Sequence, residues 1–496
     1  MAAYKEAGGE GVHVLLVVSS AQSHINPMLR LGNRLASKGL HVTLATTDFA
    51  RHRMLKSLSS NTLSQNTKIR LQFYSDGLSL DFDRKTHLEH FMDCLGKFGP
   101  PNLSKLINDL SADNHSPKFS CIITTPFVPW VADVAVQHGI PCALLWIQPS
   151  ALYAIYYRFY NNLNPFPSQH DPCLTVQLPG LPPLQPADLP SFVLPSNRFV
   201  CFSKLLSELF QDHLSKFKWV LGNSFSELEK DVVESMAELS PIRSIGPLVP
   251  STLLGLGEGG DFGLDMWKPE ERCIEWLDRM PVSSVVYVSF GSMLVLSTKQ
   301  MENIALGLKN SGRPFLWVVK PPDNGESVPL PTGFLEETED RGLVVSWCSQ
   351  TKVLVHPTVS CFMSHCGWNS TLETVVAGVP LIAFPQWTDQ PTNAKLIVDV
   401  LEMGLRVEQD EDGMVSQEEV ERCIYEITGG PKSEEWKRNA VQWKEAAKIA
   451  VADQGSSDRN IQIFINEIVG RHSLSSSMSP LSVTTIEESS AICVST

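Results

Sequence analysis

Residues 347–390 concentrate hydrogen-bonding groups at chain turns while carrying few side-chain charges, namely Lys352, Glu373 and Asp389. A buried strand over 360–363 runs into Ser364-His365-Cys366-Gly367, and a helix opens near Asn369-Ser370. A helix start leaves backbone N–H groups pointing outward, and Gly367 lets an anion approach them. The result is a diphosphate cradle built without lysine or metal. His365 can donate a further hydrogen bond to the same anion. Glu373 follows Asn369 by four residues and shares its helical face, where a carboxylate accepts from both hydroxyls of a ribose. Trp347, closing a strand over 343–346, can stack on a planar base. Asp389 and Gln390, opening the next helix, can bind adjacent hydroxyls of a sugar. Base, ribose, diphosphate and sugar in that order describe a nucleotide sugar. Taken singly, His365 and Glu373 read as well as helix caps, and the tryptophans as core.

A second candidate lies in Ala21-Gln-Ser-His24-Ile-Asn-Pro27, between a strand at 12–18 and an amphipathic stretch at 25–36. A His at the carboxyl end of a strand faces the ligand crevice of an open α/β sheet, and its ordinary pKa of about 6.5 suits a general base. A lone His is also often structural.

Three other patterns read as decoys. Gly255-Leu-Gly-Glu-Gly-Gly has the letters of a dinucleotide fingerprint but follows a Pro-rich stretch, not a strand. Asp81-Phe-Asp83 and Asp410-Glu-Asp412 sit in turn-like surroundings and read as solvated loops. His356, Cys361, His365 and Cys366 crowd together, but neighbours on a strand face opposite ways, so no closed metal site is expected.

These residues need a frame to hold them. Strand, helix and strand alternate over 12–46 and again over 121–146, a rhythm that implies a parallel sheet. The middle is rich in proline. A fresh series then begins with strands at 285–289, 315–319, 343–346 and 360–363 and a helix at 299–310. The sequence therefore predicts an α/β protein of two doubly wound parallel-sheet domains facing across a cleft. Their expected extents are 1–245 for the first, 246–270 for the linker and 271–454 for the second.

The 496 residues allow about three domains at roughly 150 residues each, or two large ones. With 43% apolar residues and a net charge of −14, the chain buries a large core, and nucleic acid or an anionic membrane is excluded as its main partner. There is no apolar run of membrane-spanning length and no signal-like N-terminus. The 11 scattered cysteines include no Cys-x-x-Cys pair, which points to reduced thiols and a cytoplasmic protein. Residues 473–496 read as a Ser/Thr-rich disordered tail.

The 44 residues of 347–390 resemble the signature box of the plant UDP-glycosyltransferases of secondary metabolism, which have the GT-B fold. The resemblance spans about residues 12–470. It implies that Trp347 stacks uracil, with Cys348 beside it, and that Gln350 and Glu373 hold the ribose. It further implies that His365, Gly367, Asn369 and Ser370 hold the diphosphate, while Trp368, Asp389 and Gln390 bind a glucose unit. Ser292, in Val288-Ser-Phe-Gly-Ser292, matches a phosphate-side loop, and residues 455–472 match a helix that returns to the first domain. The family places its catalytic base at His24. Members acting on phenols carry an Asp where this chain has Thr125. A hydroxyl accepts the imidazole N–H but does not balance an imidazolium.

Pro126-Phe-Val-Pro-Trp130, Leu144-Leu-Trp-Ile-Gln148 and Val176-Gln-Leu-Pro-Gly180 are similar to the gallate, hydroxycinnamate and limonoid glucosyltransferase branch. The expected activity is inverting glucosyl transfer from UDP-glucose to a small plant aromatic of flavonoid or polyphenol type, with O- or C-glucoside products. Glucose esters of aromatic carboxylic acids are the alternative. Trp146, Tyr153 and Tyr157 are candidate acceptor surface, though such aromatics equally pack a helix onto a core. UDP-glucose is the co-substrate, and neither a cofactor nor a metal is expected. The chain is expected to be a monomer. A nicotinamide dehydrogenase would need a glycine fingerprint in the turn 19–24, which has none, and a non-catalytic nucleotide-sugar binder has no use for His24.

Overall fold

The computed structural model describes residues 11–57, 69–112, 118–255, 270, 272–291, 296–320 and 330–470. Every residue of β1 (His13–Val17) is buried, as expected of a strand covered on both faces by helices. The chain passes through the helix Gln22–Ser37 to β2 (His41–Thr47), which lies parallel to β1. β3 (Ile69–Tyr74), β4 (Phe119–Thr124), β5 (Cys142–Trp146), β6 (Trp219–Gly222) and β7 (Ile242–Ser244) complete the first sheet. Its order is β3-β2-β1-β4-β5-β6-β7, parallel throughout.

The second sheet repeats the plan. β8 (Val285–Ser289), β9 (Phe315–Val318), β10 (Gly342–Val345), β11 (Val359–Ser364), β12 (Leu381–Ala383) and β13 (Gly404–Arg406) are ordered β10-β9-β8-β11-β12-β13, again all parallel. In each sheet the strand order reverses once, at β1/β4 and at β8/β11, and ligands of such sheets bind beyond the strand ends at that reversal. Two doubly wound parallel sheets are what the periodicity predicts.

The expected strands appear within about two residues of their predicted bounds. β3, β6, β7 and the helix Leu88–Ser111, with Pro100 and Pro101 inside it, went unread. The Pro-rich middle supplies short 3-10 turns, Pro186–Asp188 and Ser191–Val193. Of the segment expected as linker, Leu248 joins the core around β1, whereas Leu253 and Leu254 join that of the second sheet. Residues 256–269, including most of the glycine decoy, and the tail 473–496 lie outside the described residues.

The final helix, Ser456–Ile468, packs against the first sheet. Its Ile461, Phe464 and Ile465 share a core with β1 and β2, and Glu467 accepts from Trp219 Nε1 (2.6 Å) and from Arg243 (2.9 and 3.0 Å).

Candidate active site

Strand register assembles the two halves of the site. Val17 of β1 stands opposite Thr124 of β4, so the turn after β1 emerges beside Thr125. His24 Nδ1 lies 3.2 Å from Thr125 Oγ1, and the edge of its ring meets Phe127 at 4.3 Å between centroids. His24 is 5% exposed, and burial drives its pKa down from about 6.5 to about 3. The imidazole is therefore neutral at physiological pH but weakly basic, because a hydroxyl does not repay desolvation of the cation. The Thr125 hydroxyl stands where a carboxylate would raise that pKa.

In the second sheet Ser289 pairs with Ser364, which brings Gly291 beside His365. The His365 ring lies between two glycines. A Cβ on Gly291 would sit 2.8 Å from its Cε1, and one on Gly367 would sit 2.6 Å from its Nε2. Burial lowers the His365 pKa to about 4, and its Nδ1 is buried without a hydrogen-bond partner among the described residues. The helix Trp368–Ala377 starts from Gly367, which offers no capping side chain, so the first turn keeps its N–H groups for an anion. Gly291 also has φ +75°. Gly291→Ala is thus expected to push His365 out of place and weaken UDP binding about tenfold by calorimetry. Unchanged affinity would show that His365 does not border the diphosphate.

Glu373, on that same helix, is linked through its Oε2 to Gln350 Nε2 (2.9 Å), which also donates to Ser370 Oγ (3.0 Å). Glu373 Oε1 meets Arg30 of the first domain at 3.4 Å, and Arg30 donates as well to the carbonyl of Leu248 (3.0 Å). Asn369 Nδ2 donates to the carbonyl of Ser23 at 2.9 Å, so the start of the helix Trp368–Ala377 touches the first turn of the helix Gln22–Ser37, where the structure places His24. The two halves share one crevice.

Asp389 is buried, and its burial raises its pKa. It accepts from Thr388 Oγ1 (2.6 Å) and Asn393 Nδ2 (2.7 Å), and from the backbone of Trp368. Gln390 Oε1 accepts from the N–H groups of Gln386 and Trp387, at 2.9 and 3.2 Å. Trp347 is half-buried at the end of β10. Ser292 lies outside the described residues.

Several expected contacts take other roles. The Trp368 indole, read as a sugar contact, is buried and donates to the carbonyl of Asn223 at 2.8 Å, joining the domains. Cys348 is buried, with its sulfur 3.5 Å from the Tyr287 hydroxyl. Trp146 and Tyr153 are fully buried, with Trp146 Nε1 donating to Pro149 and the Tyr153 hydroxyl paired with Ser240 at 2.6 Å. Tyr157 donates to the carbonyl of Leu239 (3.2 Å). These three aromatics pack the helix Ser150–Tyr160 onto the sheet and offer no shared acceptor surface.

The aromatic wall beside His24 comes instead from Phe127, Phe202 and Phe192, with successive centroids 5.3 and 5.5 Å apart. Sequence reading missed it, although Phe127 lies in the quoted Pro126–Trp130 motif, immediately after a strand end. Asp83 and Asp410 cap their own turns through the N–H groups of Lys85, Thr86, Asp412 and Met414.

The profile of the UDP-glucoronosyl and UDP-glucosyl transferase family matches residues 262–473. UDP-glycosyltransferase 84B1 of Arabidopsis thaliana is 47% identical over 93% of this chain and 98% of its own length. Gallate 1-beta-glucosyltransferase of Quercus robur is 43% identical over 93% and 90%. The crystal structure of Os79 from O. sativa in complex with UDP superposes with a TM-score of 0.82 at 35% identity, covering 92% of this chain and all of that one. The crevice geometry and these likenesses agree, and the chain belongs to the UDP-glycosyltransferase family, as an enzyme with two Rossmann-like domains in the GT-B arrangement.

Proposed function

We propose that this enzyme transfers glucose from UDP-glucose to a small flat aromatic acceptor of polyphenol type that reaches the cleft already ionised. The anomeric carbon is inverted in one displacement. The observation that carries this reading is His24 buried against a hydroxyl, with its pKa near 3. General-base catalysis commonly contributes about 10²–10⁴-fold, and a base so far below the working pH supplies little of it. An acceptor that has lost its proton needs orientation more than a base, and His24 with Phe127 provides it.

In this reading uracil stacks on Trp347, and Gln350 and Glu373 hold the ribose. His365, Asn369 and Ser370, together with Ser292, receive the diphosphate, whose departing charge is stabilised by the open helix start. Asp389 and the carboxamide NH₂ of Gln390 take glucose hydroxyls, since Gln390 Oε1 is already engaged in the turn. The aromatic acceptor lies along Phe127 and Phe202. A second reading, an aromatic carboxylate acceptor giving a glucose ester, is favoured by the likeness to a gallate 1-beta-glucosyltransferase. The ten described cysteines are thiols rather than disulfides, which suits the cytoplasm. One chain supplies every group named, so the enzyme is proposed to act as a monomer.

The test is a panel of phenols, acidic polyphenols and aromatic acids with UDP-glucose, with products identified by mass spectrometry and base lability. Thr125→Asp is expected to raise the His24 pKa and strengthen it as a base. Its activity on simple phenols then rises and acquires an acid limb, because His24 protonates as pH falls through the raised pKa. In the unsubstituted enzyme His24 contributes no such limb between about pH 5 and 8, its imidazole being neutral throughout, and any fall toward acid pH follows the acceptor's own ionisation. Equal effects on phenols and aromatic acids would refute the role given to position 125.

A further inference from the structure

The turn that carries Asp389 and Gln390 is not held by its own domain alone. Thr388 has φ +57°, a left-handed backbone that β-branched residues seldom adopt. Across the cleft, Ser191 of the first domain closes on both polar groups of that one residue. Its N–H donates to the Thr388 carbonyl (3.0 Å), and its Oγ accepts from the Thr388 N–H (3.0 Å). The neighbouring contacts fix the same pair of segments. Thr392 Oγ1 donates to the carbonyl of Asp188 (2.7 Å), Arg406 reaches Asp188 Oδ1 (2.9 Å), and Phe199 lies against Trp387 (4.5 Å between centroids). Ser191 is followed directly by Phe192 of the aromatic wall.

We infer that Ser191 is a positioning residue for the hexose, acting through Thr388. The first domain holds Thr388 in its left-handed conformation, and that conformation sets where Asp389 and Gln390 present their side chains. The carboxylate of Asp389 is tied to the same residue through Thr388 Oγ1, so a relaxed turn also loosens the sugar-side acceptor. The base, ribose and diphosphate contacts lie on other segments and do not depend on this clasp. The effect therefore falls on the sugar and spares the nucleotide. This inference rests on the proposed reading of Asp389 and Gln390 as glucose contacts.

The experiment compares UDP-glucose kinetics with UDP binding in Ser191→Ala and Ser191→Thr. Ser191→Ala, which deletes only the Oγ acceptor, is expected to raise KM for UDP-glucose about fivefold to tenfold. The Kd for UDP, measured by calorimetry, stays within twofold. Ser191→Thr restores the acceptor and recovers most of the loss. Thr388→Gly enters the left-handed region without strain, so Ser191→Ala in that background is expected to raise KM less than twofold further. An unmoved KM in Ser191→Ala overturns the inference, and so does equal weakening of UDP and UDP-glucose, which marks a merely structural role. Failure of the unsubstituted enzyme to turn over UDP-glucose sinks the proposed function itself. Turnover with an unmoved KM sinks the clasp alone.

Discussion

His24→Ala lowers kcat about 10²-fold on a neutral phenol, and less than tenfold on an aromatic carboxylate, while the Kd for UDP stays within twofold. The argument starts from position. The imidazole lies in the first domain, against Phe127 and Thr125, and the groups proposed to hold uracil, ribose and diphosphate lie on the other domain. Removing it therefore takes away orientation and proton acceptance without touching the nucleotide groups. A base with a pKa near 3 places the loss toward the low end of the usual range for general-base catalysis. An ionised acceptor never needed the proton removed, so it loses only alignment. Steady-state kinetics on both acceptor types, with calorimetric UDP titration, decides the matter. Loss of UDP affinity together with kcat would make His24 a structural residue.

Arg30→Met has the larger effect on the fold. The Arg30 and Glu373 side chains are 7% and 10% exposed and face each other from different domains. Deleting one partner leaves the other charge buried and uncompensated, a change that costs about 3–5 kcal/mol in comparable cases. The 3.4 Å separation argues for the lower figure. The apparent unfolding temperature is expected to fall by several degrees and UDP affinity about tenfold, because among the described residues Glu373 then keeps Gln350 alone to orient it. Adding Glu373→Gln removes the stranded charge, so the double variant regains stability but not UDP affinity. If the double variant is no more stable than Arg30→Met, the pair is not what couples these two segments.

How far the sequence reveals this enzyme depends on which signals are local. β8 was read to the residue because an apolar run buried on both faces is visible in five letters, Val-Val-Tyr-Val-Ser. The proposed donor-side groups could be named together because they fall within 44 consecutive residues, around one strand end and one helix start. The aromatic wall beside His24 could not. Phe127 comes from a segment far in the chain from Phe192 and Phe202, whereas the tyrosine row at 153–157 has a spacing that suits a buried helix face as well as a ligand surface. The Trp368 contact with Asn223 was not legible because a place beside the diphosphate loop says nothing of which way the indole turns. Arg30 is one of two arginines on an amphipathic helix, and the opposing domain gives it a carboxylate to meet. The helix Leu88–Ser111 was obscured by Pro100 and Pro101, which ordinarily argue against a helical interior.

The placement of the closing helix, Ser456–Ile468, bears on how the chain matures. Phe464 meets the ring of Trp219 at 5.2 Å, and Ile461 and Ile465 lie in the same apolar layer as Val14, Leu16 and Leu248. The lobe synthesised first is thus roofed by residues synthesised only after the second sheet. On the ribosome it waits with an oily face uncovered while the whole donor lobe is made, a period in which a holding chaperone has something to grip. A chain interrupted just before Ser456 keeps its nucleotide-side groups and yet leaves that face permanently open to self-association.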